Sequence, residues 1–183
     1  MNPVDHRHPA EPSLWVKRFA PLIAAGGTIL DLACGNGRHA RFLEAAGWRV
    51  EAVDRDGQAL STLAGIPGIV TRQTDLEGGS WPYPGRCFDG IVVTNYLHRP
   101  LFPELIDTLA VGGVLIYETF MLGNERFGRP ANPDFLLRPN ELLEAFGGHL
   151  TLVAFEQGET AQPQPAVVQR LCAVKGVGIG RLT

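Results

Sequence analysis

Hydrophobic and polar positions along the chain form five short β-branched runs, separated mostly by stretches with helical periodicity. The apolar runs predict strands over residues 28–33, 49–54, 69–74, 89–94 and 114–119. The amphipathic stretches predict helices over residues 13–25, 38–46, 58–64, 102–109 and 141–146. This alternation favours right-handed crossovers, and therefore a parallel sheet with helices on both faces.

The end of the chain departs from this alternation. Residues 149–155 and 167–174 are two further strand patterns, and the polar segment 156–166 between them is too short to hold a crossover helix. A connection of that length favours an antiparallel pair. The pattern as a whole predicts an α/β fold of the Rossmann-like, doubly wound kind.

Length, composition and charge narrow the class of protein. The chain has 183 residues, of which 45% are hydrophobic, and fits one domain over residues 1–183. Residues 1–12 are polar and proline-containing, and we expect them to be a flexible arm. A net charge of -3 gives no electrostatic reason to expect a nucleic-acid partner. There is no signal peptide and no apolar run near the ~20 residues of a membrane span, so we expect a cytoplasmic protein without a membrane partner.

The cysteines do not indicate a metal site or a redox pair. Cys34, Cys87 and Cys172 are widely spaced and form no Cys-x-x-Cys pair. We therefore expect three buried thiols and no bound metal. The oligomeric state, monomer or dimer, stays open.

A glycine turn follows the first predicted strand. Gly35 and Gly37 stand outside a strand's carboxyl end, where parallel sheets bind ligands, and they permit close backbone approach. The segment Gly-Asn-Gly-Arg-His-Ala also fits the weak G-x-G-x-x-A pattern of dinucleotide sites. However, the Asp31 carboxylate at the same strand end would repel a pyrophosphate and attract a cation. S-adenosylmethionine carries an ammonium, a sulfonium and one carboxylate, and is therefore favoured over a nicotinamide dinucleotide.

Two further acids end the second and third strands. The spacing of Asp54 from Gly35 is close to the ~20-residue offset at which a carboxylate binds ribose hydroxyls. Asp75 could accept the amino group of an adenine, and Leu76 could pack on its ring. Single acids at strand ends often only cap helices or form turns. Three in succession beside a glycine turn indicate a nucleoside site.

These residues resemble the successive motifs of a known family. Asp31-Leu32-Ala33-Cys34-Gly35-Asn36-Gly37, Val53-Asp54, Thr74-Asp75-Leu76 and Phe88-Asp89 are similar to the motifs of class I S-adenosylmethionine-dependent methyltransferases. The resemblance implies a seven-stranded sheet, mostly parallel with an antiparallel last strand, and S-adenosyl-L-methionine as cofactor. Ala33 departs from the pattern, because the family usually has glycine there. The candidate cofactor-binding residues are Asp31, Ala33, Gly35, Gly37, Asp54, Arg55, Asp75, Leu76 and Asn95.

Methyl transfer requires the acceptor atom to be aligned with the S–CH3 bond and water to be excluded. The fourth strand leads into polar residues 94–100, so Tyr96 and His98 are catalytic candidates. His98 could act as a general base or simply stabilise the turn that follows it. Glu118 is a third candidate, because an acid buried without a partner is costly and should face the cleft. The loop lacks an Asn-Pro-Pro-Tyr sequence and a cysteine, which argues against DNA-base methylation.

Residues 121–138 form a long segment without predicted regular structure, and we expect it to be a lid over the acceptor site. Arg126, Arg129 and Arg138 could bind an anionic acceptor, or could pair with neighbouring surface acids. The segment and the helix after it also resemble small tellurite-resistance-type methyltransferases, which implies a small, soft or anionic acceptor. The leading hypothesis is thus a small-molecule methyltransferase. The alternatives are an NAD-dependent oxidoreductase and a non-catalytic S-adenosylmethionine-binding module.

Overall fold

The computed structural model describes residues 11–176. Its strands are β1 (Thr28–Leu32), β2 (Arg49–Asp54), β3 (Ile69–Gln73), β4 (Phe88–Thr94), β5 (Leu109–Phe120), β6 (Thr151–Thr160) and β7 (Ala166–Val174). Its α-helices are α1 (Leu14–Phe19), α2 (Arg38–Ala45), α3 (Gly57–Ser61), α4 (Phe102–Thr108) and α5 (Glu141–Phe146). All seven strands belong to one sheet, in the order β3-β2-β1-β4-β5-β7-β6.

The direction of the strands follows the lengths of their connections. Strands β1 to β5 pair in parallel, whereas β7 runs antiparallel to both of its neighbours, β5 and β6. Only residues 161–165 connect β6 to β7, which is too few for a crossover. The predicted doubly wound α/β sheet with an antiparallel last strand is confirmed.

Two hydrophobic layers cover the sheet, one on each face. Alternate residues of a strand point to opposite faces, so Ile29 packs with Trp15 and Leu43 of α1 and α2. Its neighbour Leu30 packs on the other face with the layer that contains Leu105 of α4, together with Phe146 of α5. Because β1, β2 and β4 are adjacent and parallel, their carboxyl ends lie side by side between these two layers.

Several element boundaries differ from the prediction, most of them by one residue. Helix α3 ends at Ser61 instead of residue 64, and strand β6 covers Thr151–Thr160 instead of 149–155. Helix α1 ends at Phe19 and continues as a 3-10 turn over Ala20–Leu22, because Pro21 cannot donate a backbone hydrogen bond. Strand β5 begins at Leu109 instead of residue 114. The backbone of Gly112 and Gly113 exchanges hydrogen bonds with Lys175, which follows β7, and this pairing extends the strand.

A loop without a helix connects β3 to β4. Tyr83 is buried in this loop, and the guanidinium groups of Arg72 and Arg86 stack on its ring. Both arginines also pair with Glu51, whose side chain is 6% exposed. Tyr83, the two arginines and Glu51 thus pack together in the β3–β4 connection, which has no crossover helix.

Two of the three cysteines are buried. Cys34 and Cys172 are buried as predicted, but Cys87 is exposed because it lies in the loop before β4. Residues 1–10 of the predicted flexible arm lie outside the described residues. In the described range, 11–176, no helix combines the length and apolar character needed to cross a membrane.

Candidate cofactor and acceptor site

The glycine turn joins β1 to α2 in a left-handed backbone conformation. Ala33, Gly35 and Gly37 have φ angles of 53°, 53° and 71°. Ala33 therefore adopts the left-handed backbone conformation that a glycine would favour, so alanine at this position does not change the path of the backbone. A Cβ on Gly37 would lie 2.5 Å from a methyl carbon of Leu63, whereas a Cβ on Gly35 would meet no atom within 4 Å. The space above Gly35 is open to a ligand.

Asp54 fixes the position of this turn relative to β2. Its Oδ2 accepts the Gly35 N–H at 2.8 Å, and its Oδ1 accepts the Asp56 N–H at 2.9 Å. Each carboxylate oxygen has a second lone pair, so Asp54 can still accept hydrogen bonds from a ligand. Asp54 is half-buried at the open edge of the sheet. This arrangement suits an acceptor for ribose hydroxyls.

Asp31 is a buried carboxylate with an unsatisfied oxygen. It is 1% exposed, lies against the first turn of α2, and its Oδ2 has no hydrogen-bond partner among residues 11–176. Burial raises the pKa of Asp31 to about 7, while the Ala40 backbone N–H acts in the opposite direction. An unpaired buried charge is costly, so this position favours a cationic ligand group.

The loops after β2, β3 and β4 bring Arg55, Asp75 and Tyr96 near one another. Asp75 and Arg55 are exposed, and Asp75 accepts the Glu77 N–H at 3.0 Å. The Tyr96 hydroxyl is buried and has no hydrogen-bond partner in the described part of the chain. Burial and the charge of the nearby Glu77 carboxylate raise the pKa of Tyr96. Tyr96 therefore lies beside the loop after β3, at the predicted adenine end, while Leu76 is packed in the core.

The end of β4 presents Asn95 and His98. Asn95 is exposed with a φ of 54°, and its N–H donates to the carbonyl of Glu118 at 2.9 Å. His98 is half-buried, and its imidazole makes no hydrogen bond with any residue that the structure describes. Both neighbours of His98 in the chain are fixed, since Leu97 packs in the core and the Arg99 side chain donates to Glu141.

Glu118 is buried because it has a partner. Arg170, the residue opposite it on β7, donates from Nε to Glu118 Oε2 at 2.5 Å. Arg170 also pairs with Glu156, which pairs in turn with Arg18. Glu118 is therefore not an unpartnered acid, and its burial gives no reason for it to face the cleft. Its contact with a substrate stays a prediction.

The 121–138 segment is more structured than predicted. It contains 3-10 turns over Asn124–Arg126 and Pro133–Phe135. Its ends are joined, because Leu122 N–H donates to Leu137 O at 2.9 Å and Leu137 N–H donates to Phe120 O at 3.0 Å. Asn124 is buried and bonds to both Pro130 and Val167. The segment is attached to the sheet at its base.

The three arginines of this segment are not equivalent. Arg126 pairs with Glu159 at 2.6 Å, and Arg138 pairs with Glu141 at 3.4 Å. Arg129 is exposed and forms no ion pair with residues of the described range. Two of the three predicted anion-binding side chains are thus engaged by carboxylates.

Two residues with a structural role at the site were not predicted. The Arg99 guanidinium bonds to Glu141 and to two carbonyls of the 121–138 segment. His39 is buried, and its Nε2 accepts the Ser13 N–H at 3.1 Å. Burial lowers the pKa of His39 to about 3, so the ring is neutral and its Nδ1 proton faces Thr94 Oγ1. No local pattern reveals either contact, although His39 lies only two residues after Gly37.

The fold is a mostly parallel sheet with an antiparallel last strand. Together with the glycine turn after β1 and the acids at the carboxyl ends of β1 and β2, it is typical of the class of S-adenosylmethionine-dependent methyltransferases. The sequence matches the methyltransferase domain family over residues 4–144, so the chain belongs to that family. The predicted enzyme class and its cofactor, S-adenosyl-L-methionine, are confirmed. No curated protein matches the chain.

Several solved structures share this fold. TehB from Haemophilus influenzae has a TM-score of 0.72 at 21% identity, covering 88% of this chain but only 61% of that protein. A TehB-like SAM-dependent methyltransferase from Corynebacterium glutamicum has a TM-score of 0.65 at 19% identity, covering 88% and 87%. The glycopeptide N-methyltransferase MtfA complexed with S-adenosyl-L-homocysteine has a TM-score of 0.64 at 18% identity, covering 91% of each chain. These identities support a common fold and no more.

Proposed function

We propose that this protein transfers the methyl group of S-adenosylmethionine to a small acceptor that is anionic or has a soft nucleophilic atom. The observation that carries the proposal is the unpartnered, buried oxygen of Asp31, on the strand that leads directly into the glycine turn with its open space at Gly35. A buried negative charge next to a cleft requires a positive group, and the amino group of the methionyl part supplies one.

The other residues of the site fit the remainder of the cofactor. Asp54 would accept the ribose hydroxyls with the lone pairs that Gly35 and Asp56 leave free. Asp75 would accept the amino group at the adenine end, and Tyr96, which stays a catalytic candidate, has a hydroxyl close to it that is unpartnered within residues 11–176. When bound, the cofactor supplies a methyl carbon already activated by the sulfonium. The protein's part is therefore to orient two reactants and exclude water.

The acceptor side of the cleft would be formed by His98 and the 121–138 segment, next to Asn95, which stays a candidate for binding the cofactor. The imidazole of His98 would accept a proton from a protic acceptor, whereas a soft or anionic acceptor needs no base. Arg129 offers a guanidinium without an ion-pair partner in the described residues, which favours an anion. Arg126 and Arg138 would have to exchange a carboxylate partner for the acceptor.

Two measurements test the proposal. Calorimetry should show binding of S-adenosylhomocysteine and no binding of NAD; the reverse result would overturn the assignment. Labelled-methyl transfer to a metabolite extract should yield a labelled small molecule. Binding without any labelled product would instead indicate a non-catalytic module that senses the cofactor.

The role of His98 can be separated from that of the cofactor site. His98→Gln should lower methyl transfer to a protic acceptor while leaving the affinity for S-adenosylhomocysteine unchanged. Lys17→Ala is the control, because within residues 11–176 the partly exposed Lys17 side chain of α1 pairs only with Glu11, which precedes the helix. A labelled DNA product would contradict the small-molecule acceptor. A cytoplasmic location stays a prediction from the sequence.

A further inference from the structure

One guanidinium joins the loop after β4 to the 121–138 segment. Arg99 donates from Nε to Glu141 Oε1 at 2.5 Å and from Nη2 to Glu141 Oε2 at 3.1 Å. It also donates from Nη1 to the carbonyl of Asp134 at 2.8 Å and from Nη2 to the carbonyl of Leu136 at 2.9 Å. A single side chain thus binds the loop, the segment and the start of α5.

The Glu141 carboxylate accepts hydrogen bonds from both Arg99 and Arg138. Glu141 is 4% exposed and also accepts the Arg138 N–H at 2.7 Å. The Arg99 and Arg138 contacts hold the pKa of Glu141 below its usual value despite burial. A bidentate arginine and carboxylate pair has a defined geometry, and removing one partner leaves an uncompensated buried charge.

The position of Arg99 in the chain connects this pair to the acceptor site. Arg99 directly follows His98, and the Leu101 N–H donates to the His98 carbonyl at 3.1 Å. Holding Arg99 therefore holds the backbone of His98. Within the 121–138 segment, Arg99 binds the carbonyl of Leu136, and the Leu136 side chain is buried. This end of the segment is therefore packed into the protein.

We propose that Arg99 is a positioning residue for methyl transfer, which fixes the His98 loop and the 121–138 segment as one preformed wall of the acceptor site. The segment then acts as a fixed surface instead of a lid that opens and closes. This inference rests on the proposed function for the meaning of the acceptor site. Asp31 and Asp54 make none of these contacts, so we expect Arg99 to affect cofactor affinity much less than methyl transfer.

The test compares Arg99→Ala with a matched control, Arg86→Ala. Arg86 is a partner of Glu51, which is buried to a similar extent as Glu141 but lies under the loop between β3 and β4. Three quantities are measured for each variant: amide hydrogen exchange of residues 121–138, affinity for S-adenosylhomocysteine, and labelled-methyl transfer to a metabolite extract. Glu141→Gln provides a second variant if Arg99→Ala does not fold.

We expect Arg99→Ala to speed exchange within residues 121–138 at least tenfold and to lower methyl transfer at least tenfold. Its affinity for S-adenosylhomocysteine should stay within twofold of the wild type. Added guanidinium should restore part of the transfer rate, and Arg99→Lys should be intermediate because an ammonium cannot reproduce the bidentate contact. Arg86→Ala should lower the Tm without changing exchange in the segment or the transfer rate.

Unchanged exchange and transfer in Arg99→Ala would overturn the inference, as would equal effects of the two alanine variants on every readout. The second result would mean that Arg99 contributes only general stability. If the wild type yields no labelled product, the proposed function fails. The exchange measurement then still decides whether Arg99 holds the segment.

Discussion

Replacing the predicted cofactor-binding acid Asp31 with asparagine should stabilise the protein while weakening ligand binding. Asp31 is 1% exposed, and burial raises its pKa from 3.8 to about 7. The folded protein therefore keeps this proton at pH values where the unfolded chain has lost it. The free energy of unfolding must fall as the pH rises from about 4 to about 7, and level off above that.

The size of the effect follows from the width of this pH interval. At about 1.4 kcal/mol per pH unit, ionised Asp31 lowers the free energy of unfolding by about 4 kcal/mol above pH 7. Asp31→Asn removes this penalty but leaves an amide N–H group unpaired, at a cost of about 1–3 kcal/mol. We expect the variant to be more stable than the wild type by about 1–3 kcal/mol at pH 8. At pH 4 it should be no more stable.

Ligand affinity should change in the opposite direction. In the proposed function the amino group of S-adenosylhomocysteine binds the ionised carboxylate, which predicts that wild-type affinity weakens up to about tenfold per pH unit below pH 7. Asp31→Asn should bind about 10- to 100-fold more weakly at pH 8, and its affinity should vary little with pH. Urea unfolding at pH 4, 6 and 8 and calorimetry at the same pH values measure both effects.

Asp54→Asn is the control for this experiment, because both oxygens of Asp54 accept backbone hydrogen bonds. It should weaken binding without stabilising the protein at any pH. The opposite outcome is that Asp31→Asn is less stable than the wild type at pH 8 and that this difference does not vary with pH. Asp31 would then not be a destabilising charge, and its burial would no longer favour a cationic ligand.

Three further predictions concern the turn and the 121–138 segment. Ala33→Gly should raise the free energy of unfolding by at most about 1 kcal/mol in urea and preserve ligand affinity, because relief at a φ of 53° is offset by greater freedom of the unfolded chain. Gly37→Ala should lower it by more than about 2 kcal/mol, since the new Cβ would meet Leu63 at 2.5 Å; equal effects of the two changes would contradict the turn geometry. Asn124→Ala should cost about 1–3 kcal/mol in urea unfolding by leaving the buried Val167 N–H unpaired, and a neutral result would show that Asn124 does not anchor the segment.

The structure agrees with the sequence most closely where the signal is local. Strand β2 and helix α5 have the predicted bounds, Arg49–Asp54 and Glu141–Phe146. Alternation of apolar residues, helical periodicity and the missing Cβ of glycine each act over a few neighbouring residues. For the same reason, the start of β5 was missed, because it depends on Lys175.

By itself, then, the sequence determined the order of the elements, the glycine turn, and the acids at the ends of the first three strands. Only the tertiary structure decided which charges are already paired. Arg99 meets Glu141 42 residues away, and Glu118 meets Arg170 52 residues away. Such partners depend on which strands become neighbours and which face each side chain occupies, and neither property is encoded in a short stretch of chain. The physical reason is that a buried charge is stabilised by whichever opposite charge the fold brings within hydrogen-bond distance, at any separation along the sequence.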